Sequence, residues 1–359
     1  MENSNYGVVG LMSGTSLDGV DIAFCNFRKE EGQWIYSIGV AETVPYSVEW
    51  KKRLSALENA TALEFAATDS EYGHFLGRIT NDFILRHSIT PGFIASHGHT
   101  IFHQPGRKFT SQIGKGSAIA AETRLPVVCD FRSLDVALGG QGAPLVPIGD
   151  MLLFGSYSYC LNLGGFANIS FDESGRRIAF DICPANIVLN HLSSQLNKEY
   201  DENGDLARHG KLYPPMLEAL NNLPFYRLRP PKSLGKEWVL TEIHPVLRQF
   251  NIPVEDKLRT FAEHIADQVA GALRPESSAS MLVTGGGAFN SFLLEKIREK
   301  TGFRVWLPNP VTINFKEALI FAFLGVLRWR AEINCLNSYT GAVSDNIGGA
   351  VYLPAGNSS

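Results

Sequence analysis

The hydrophobic pattern divides much of the chain into short apolar runs closed by glycine. Tyr6 to Met12 is a Val- and Gly-rich run suited to a buried strand, and Val20 to Phe27 (VDIAFCNF) alternates imperfectly, as a second strand does. Between them lies SGTSLDG, in which Asp18-Gly19 is a hairpin-turn signal. The plan recurs in YSYCLNLGGFANISF at 157–171, where Gly164-Gly165 separates two strand-like runs. At 280–300, SMLVTGGGAFNSFLLEKIREK predicts a strand, a triple glycine and an amphipathic helix. That helix starts near Asn290, a good N-cap residue, and carries Phe292, Leu293, Leu294 and Ile297 at helical spacing. RRIAFDICPANIVLN at 176–190 predicts a strand ending at Asp181, a turn with Pro184, then a helix. ALIFAFLGVLRW at 318–329 ends in Arg and predicts a buried helix. No apolar run reaches the roughly 18 residues of a membrane span.

Composition narrows the class. The chain has 359 residues, 45% hydrophobic and 19% charged, which is ordinary globular material for two domains. Its net charge of -4 gives no footprint for nucleic acid or an anionic membrane. Cys25, Cys129, Cys160, Cys183 and Cys335 are scattered and form no CxxC, which predicts neither a disulfide framework nor a zinc knuckle and fits a reducing cytosol. MENSNYG has no basic or apolar leader region, so a secretory signal is not expected.

The SGTSLDG loop has two readings. Its glycines let backbone N–H groups approach a phosphate, and Thr15 and Ser16 add hydroxyl donors. Asp18 and Asp21 repel phosphate, and make sense there if Mg²⁺ or its waters intervene. The other reading is a plain polar hairpin. The loop is not a Walker A motif, since it lacks GK[ST] and joins strand to strand. Two glycine-turn hairpins and a third glycine loop, at Gly285, Gly286 and Gly287, point to a duplicated nucleotide-binding fold. His97, His99 and His103 form HxHxxxH, but no acid or Cys sits close by and Gln104-Pro105 breaks the segment, so no zinc site is expected. Cys183 lacks a local His partner and reads as a packing residue.

GTSLDGVD at 14–21, SHGHT at 96–100, DFR at 130–132, GGQGAPLVP at 139–147, NLGGFANI at 162–169, TGGGAFN at 284–290 and KEALIFA at 316–322 occur together in order. In this combination the chain resembles the anhydro-N-acetylmuramic acid kinase family of the actin-like ATPase/sugar kinase superfamily. The resemblance implies an α/β, two-lobed, ribonuclease H-like fold with duplicated mixed sheets around a central cleft. It implies conversion of 1,6-anhydro-N-acetylmuramic acid, ATP and water to N-acetylmuramic acid 6-phosphate and ADP, in cytoplasmic cell-wall recycling. ATP and Mg²⁺ are the expected cofactors, and the amino sugar and ATP the expected partners. No nucleic acid or membrane is expected, and a homodimer is left open.

By the same resemblance, Gly14, Thr15, Ser16, Leu17, Asp18, Gly19, Val20 and Asp21 match the first phosphate loop. Mg²⁺ sits on the ATP phosphates, with water-mediated contact to Asp18 or Asp21 left open. Gly164 and Gly165 resemble the second phosphate loop, and Gly285, Gly286 and Gly287 the adenosine loop. Asp181 matches the general base that activates water; its alternative is a helix-capping Asp. Many members read DTGPGN where this chain reads DICPAN, so Asp181, Pro184 and Asn186 match while Ile182, Cys183 and Ala185 depart. Arg132 matches an arginine for the lactyl carboxylate, against a salt bridge to Asp130 or Asp135. His99 stands where the family often has Gln, as a sugar contact. Glu317 matches a glutamate near the sugar, against simple complementation of a helix N-terminus.

The expected domains are 1–133 with about 341–359, and 134–340. Residues 198–237 read as a long irregular excursion or lid, in which Asp205 and Arg208 have no assigned role. The alternatives are a kinase for another sugar on the same fold, and a nucleotide-gated actin-like or chaperone-type ATPase.

Overall fold

The computed structural model describes residues 5–14, 17–274 and 279–354. It contains two compact units, Met1–Leu153 with Phe315–Ser359, and Phe154–Asn314. In the first, β1 (Tyr6–Ser13), β2 (Gly19–Glu30) and β3 (Gln33–Pro45) form an antiparallel meander. β4 (Phe93–Gln104) pairs parallel with β1, and β5 (Phe109–Ile113) folds back antiparallel on β4. β6 (Val127–Cys129) pairs parallel with β4, and the strand Ala350–Tyr352 adds antiparallel to β6. Val8, Val9, Leu11, Ile94, Ala95, Val127 and Val128 are buried, the continuous apolar pattern of parallel strands covered on both faces.

The second unit repeats the plan. β7 (Tyr159–Leu163), β8 (Phe166–Glu173) and β9 (Arg176–Pro184) form a meander. β10 (Ser280–Thr284) pairs parallel with β7, and β11 (Arg304–Trp306) parallel with β10. The order β11-β10-β7-β8-β9 matches β6-β4-β1-β2-β3 strand for strand in sequence and direction. A meander extended by two parallel strands, present twice, is the duplicated ribonuclease H-like α/β class expected from the sequence. The helix Val254–Gly271 packs here through Phe261, Ile265 and Val269, beside Leu293 and Ile297 of Ser291–Thr301. Asn290 caps the latter helix, its Oδ1 accepting from Leu293 N at 2.9 Å, as its sequence predicts.

The apolar 318–329 segment is a buried helix, as expected, but it starts further back, within Pro310–Trp329. That helix is long and apolar enough, by length and composition, to cross a membrane, yet most of it is buried in the protein. It presses on β1 so closely that a Cβ on Gly10 would lie 2.1 Å from the Ala318 carbonyl oxygen.

The unit boundaries fall elsewhere than the sequence suggests, because packing rather than motif order sets them. The helix Val146–Leu153 joins the first unit through Gly149 against Ile320 and through a buried Asp150–Lys316 ion pair at 2.7 Å. Buried Asp135 accepts from Gly142 N (2.7 Å), Thr340 Oγ1 (2.9 Å) and Asn346 Nδ2 (2.9 Å), tying 133–142 to the C-terminal segment. Residues 198–237 are also more ordered than expected. They form the short helices Asp205–His209 and Pro214–Asn221, with Ala207, Met216 and Leu220 in the second core and Phe225 buried against Trp238.

Gly10→Ala should lower stability by about 1–3 kcal/mol or more, because backbone cannot yield to the added methyl. Gly271→Ala, where nothing lies within 4 Å of a built Cβ, should be neutral or mildly stabilising. Urea unfolding of both variants checks this; equal midpoints would contradict the close β1–helix approach.

Candidate active site

The first loop leaves β1 at Ser13 and enters β2 at Gly19; Thr15 and Ser16 lie outside the described residues. Leu17 adopts a left-handed backbone (φ 63°), and its N–H donates to the Gly14 carbonyl at 3.4 Å. Gly19 has a packing reason of its own, since a Cβ there would lie 2.3 Å from the Val44 carbonyl oxygen of β3. Val20 is wholly buried. Among the described residues of this turn, the polar side chains are the acids. Asp18 is exposed, and half-buried Asp21 accepts from Thr43 Oγ1 at 2.6 Å. Desolvation raises the Asp21 pKa, Thr43 opposes that, and Asp18 raises it further. Two carboxylates that repel each other at a glycine turn suit a cation held through water, without forming a closed cage. Among the described residues no cluster of three or more His, Cys, Asp or Glu could enclose a metal.

Behind that turn lies a buried polar network. His99 Nδ1 is 2.7 Å from Ser13 Oγ, which is 2.6 Å from Tyr46 OH, and Tyr46 OH bonds Tyr72 OH. Burial pushes the His99 imidazole down to about 4, so it is neutral at pH 7. His97 Nδ1–H donates to the Gly98 carbonyl at 2.9 Å, and its Nε2 accepts from Arg132 Nε at 3.0 Å. Arg offers only donors and the carbonyl only accepts, which fixes this tautomer. His103 instead meets Thr110 at 3.1 Å on the exposed rim, so the three histidines do not converge.

Arg132 also donates through Nη1 to the Gly142 carbonyl at 2.7 Å. It bridges neither Asp130, which accepts from Ser133, nor Asp135, which holds Gly142 N. Burial pulls its guanidinium down to about 10, with Glu317 opposing. Its Nη2 has no hydrogen-bond partner among the described residues, which leaves its terminal edge for a ligand. Glu317, on the Phe315–Trp329 part of its helix, is raised by desolvation and by Asp21, and lowered by Arg132 and Lys316. Its side chain keeps accessible surface, so solvent screens these influences. The first unit thus gathers Asp21, Arg132 and Glu317 into one charge cluster.

The second unit offers different chemistry. Gly164 and Gly165 turn β7 into β8, and their carbonyls accept from Ala185, Asn186 and Ile187 N–H at 2.8–3.2 Å. Asn186 Nδ2 donates to the Leu163 carbonyl at 3.0 Å. Gly285 (φ 80°) and Gly287 press on Leu163, where a Cβ would meet atoms at 2.8 and 2.6 Å. Gly165 and Gly286 face room instead: the nearest atoms to a built Cβ are 3.9 and 3.5 Å away. Beside Gly286 lies a cavity of about 500 Å³ lined by Asn186, Asn190, Asn203, Asn290 and Phe289, among others. Amides that both donate and accept beside an aromatic ring suit a nucleoside, and the volume suits a small ligand. The glycines were legible in the sequence. Asn190 and Asn203 were not, and Asn290 reads there only as a cap.

Asp181 lies within β9, which continues to Pro184 rather than ending at Asp181. Register slips by one residue at Ile182, so Asn168 opposes Asp181 and Ala167 opposes Cys183. This bulge buries both Ile182 and Cys183, and leaves Asp181 half-buried. Asp181 caps no helix. Its Oδ2 accepts from Leu234 N at 2.9 Å and its own N–H donates to the Lys232 carbonyl at 3.1 Å. Desolvation raises its carboxyl pKa and the Leu234 bond opposes that rise. Burial pushes the Cys183 thiol up, so it stays protonated and unreactive. Lys232 and Leu234 have no local sequence signal, because their contacts are main-chain groups.

The comparisons bear on both units at once. The anhydro-N-acetylmuramic acid kinase family model matches residues 6–354. A relative of that name from Sulfurovum sp. (strain NBC37-1) is 32% identical over 96% of this chain and 98% of its own. Another, from Saccharophagus degradans, is 34% identical over the same shares. Among solved structures, the activator of 2-hydroxyisocaproyl-CoA dehydratase from Clostridium difficile with bound ADPNP has a TM-score of 0.44 and 12% identity, over 90% of this chain and 97% of its own. A match that runs through both glycine-turn hairpins, the Asn-lined cavity and the Asp181 bulge leaves one assignment: the chain belongs to the anhydro-N-acetylmuramic acid kinase family.

Proposed function

We propose that the chain converts 1,6-anhydro-N-acetylmuramic acid, ATP and water to N-acetylmuramic acid 6-phosphate and ADP, in the salvage of cell-wall sugar. The observation that carries this reading is the family match across residues 6–354, which spans the whole motif set in a single chain. The geometry of each unit supports it. The Asn-lined cavity beside Gly286 takes the nucleoside, and the backbone around Gly14, Leu17, Asp18, Gly164 and Gly165 approaches the phosphates. Mg²⁺ fits at Asp18 and Asp21 through water, and when bound with ATP it offsets phosphate charge. The free edge of Arg132 takes the lactyl carboxylate, and Glu317 and His99 contact the sugar.

Asp181 is the general base. Its raised pKa moves it toward the operating pH, which favours proton abstraction over a more acidic carboxylate. It takes one proton from water, and the water oxygen bonds to C1. The C1–O6 bond breaks, O6 attacks the γ-phosphorus, and the bond to ADP breaks. The water's second proton stays on the new C1 hydroxyl. An ordinary sugar kinase differs at the first step, since there the base takes the proton of the attacking sugar hydroxyl. Reaction in a reducing cytoplasm fits five cysteines that form no disulfide.

Three outcomes check this reading. Asp181→Asn should keep ATP affinity while turnover falls by roughly 10²–10⁴; retained turnover would remove Asp181 from the mechanism. Gly286→Val should fold normally, since its Cβ has room, yet lose Mg²⁺–ATP binding by calorimetry; unchanged affinity would move the nucleoside elsewhere. Turnover of the anhydro sugar in ¹⁸O-water should place solvent oxygen on C1 of promptly quenched product and none in its phosphoryl group. Label in the phosphoryl group, or activity only on free sugars, would favour another kinase chemistry on this fold.

A further inference from the structure

β9 is the edge strand of the second sheet, and an unpaired edge invites unwanted pairing. Residues 228–235, which form no helix or strand, touch it at Lys232 and Leu234. Lys232 and Leu234 are half-buried while Pro231 and Ser233 are exposed, the alternation of an extended chain against a surface. One contact is an ordinary ladder bond, Asp181 N–H to the Lys232 carbonyl at 3.1 Å. The next is not, because Leu234 N–H donates to the Asp181 side chain, Oδ2, at 2.9 Å. Oδ1 receives no hydrogen bond from the described residues.

Both ends of this segment are pinned. Phe225 and Tyr226 precede it and Trp238 follows, with ring centroids 5.4 and 5.9 Å from Trp238. Lys232 Nζ lies 4.6 Å over the Phe225 ring and donates to the Phe225 carbonyl at 3.4 Å. Tyr226 is held by a buried relay. Asn221 Nδ2 donates to Asp267 Oδ2 at 3.0 Å, which orients its amide. Asn221 Oδ1 then accepts from His264 Nδ1–H at 2.6 Å, and His264 Nε2 accepts from Tyr226 OH at 2.9 Å. Burial holds His264 down to about 3, so this neutral tautomer persists at working pH.

We propose that residues 228–235 are a positioning strap for Asp181: the Leu234 N–H fixes Oδ2 so that Oδ1 meets the reacting water, and the Asp267–Asn221–His264–Tyr226 relay holds the strap in place. The proposal rests on Asp181 as the base. The strap pairs with the sheet edge at Asp181 and orients the Asp181 carboxylate with one and the same stretch of backbone. It also tempers the base. Cys183 and Lys232 are ionisable neighbours of Asp181 in this unit; burial pushes the thiol up, so it stays neutral, and pulls the Lys232 ammonium down. A hydrogen bond to the ionised form favours that form. Without the Leu234 bond Asp181 binds its proton more tightly and is ionised only at higher pH.

The test is the pH profile of kcat/KM for the anhydro sugar. Leu234→Pro removes the N–H, and should lower kcat at least tenfold and move the acid limb up by roughly one pH unit, the effect of one charge-assisted bond. KM for ATP should not change. Leu234→Ala shortens the side chain but keeps the N–H, and should keep the wild-type limb. Tyr226→Phe removes only the last bond of the relay, and should lower kcat and leave KM for ATP unchanged. It covers the case in which Leu234→Pro does not fold. A folded Leu234→Pro with the wild-type limb, or Tyr226→Phe with wild-type kcat, would overturn the strap. If Asp181→Asn is inactive in the same assay, that failure belongs to the strap; if Asp181→Asn is active, the base reading fails first.

Discussion

Much of the second unit depends on how closely three segments meet at Leu163–Gly165. The carbonyls of Gly164 and Gly165 satisfy the N–H groups at the start of the helix Asn186–Ser194. The Leu163 carbonyl takes the Asn186 amide, and Gly285 and Gly287 press against Leu163 itself. Helix N-termini carry orphan donors, and here main-chain acceptors of a strand turn satisfy them. That bond set fixes where β9 hands over to its helix. It therefore fixes the Asp181 bulge on one side and the Asn186 edge of the cavity on the other. Side chains at Gly285 or Gly287 would open this joint, whereas one at Gly286 would only enter the cavity.

The first unit has its own joint, made from a single buried carboxylate. Asp135 collects backbone and side-chain donors from Gly142, Thr340 and Asn346, and the Cys335 thiol at 3.2 Å. A buried carboxylate is tolerable only when so fully bonded. The Gly142 it fixes through N–H is the residue whose carbonyl fixes Arg132. His97 takes the other contact, in a tautomer dictated by Gly98. Arg132 thus has its rotamer already set, which would reduce the entropy lost on binding the proposed carboxylate.

These joints explain what was legible in the sequence. Local period and punctuation gave the two hairpins, the Asn290 cap and the buried 318–329 helix, since each is written within a few residues. The candidate phosphate-loop, base and sugar residues rest on motif resemblance alone. The unit boundaries were not, because Asp135 meets Thr340 and Asn346 across some two hundred residues. Nor was the segment beside Asp181, because Leu234 contributes a backbone N–H that any residue but proline carries. The Asn-lined cavity was missed for a related reason. Its amides come from 186–203, 290 and 314, and no single motif holds more than one of them.

The departure at DICPAN becomes intelligible in the same terms. Ile182, Cys183 and Ala185 are all buried, so the positions that differ from DTGPGN face the core of their unit. The bulge at Ile182 lets two successive apolar side chains turn inward without carrying Asp181 with them. Apolar neighbours make the charged carboxylate less favourable, and desolvation is indeed the largest influence raising the Asp181 pKa. Carried further, that influence would protonate Asp181 and, in the proposed mechanism, stop the reaction. The opposing influence is the Leu234 N–H, supplied from fifty-three residues away. A more apolar lining behind the carboxylate therefore increases the demand on the strap in front of it, and the two features tune one proton affinity together.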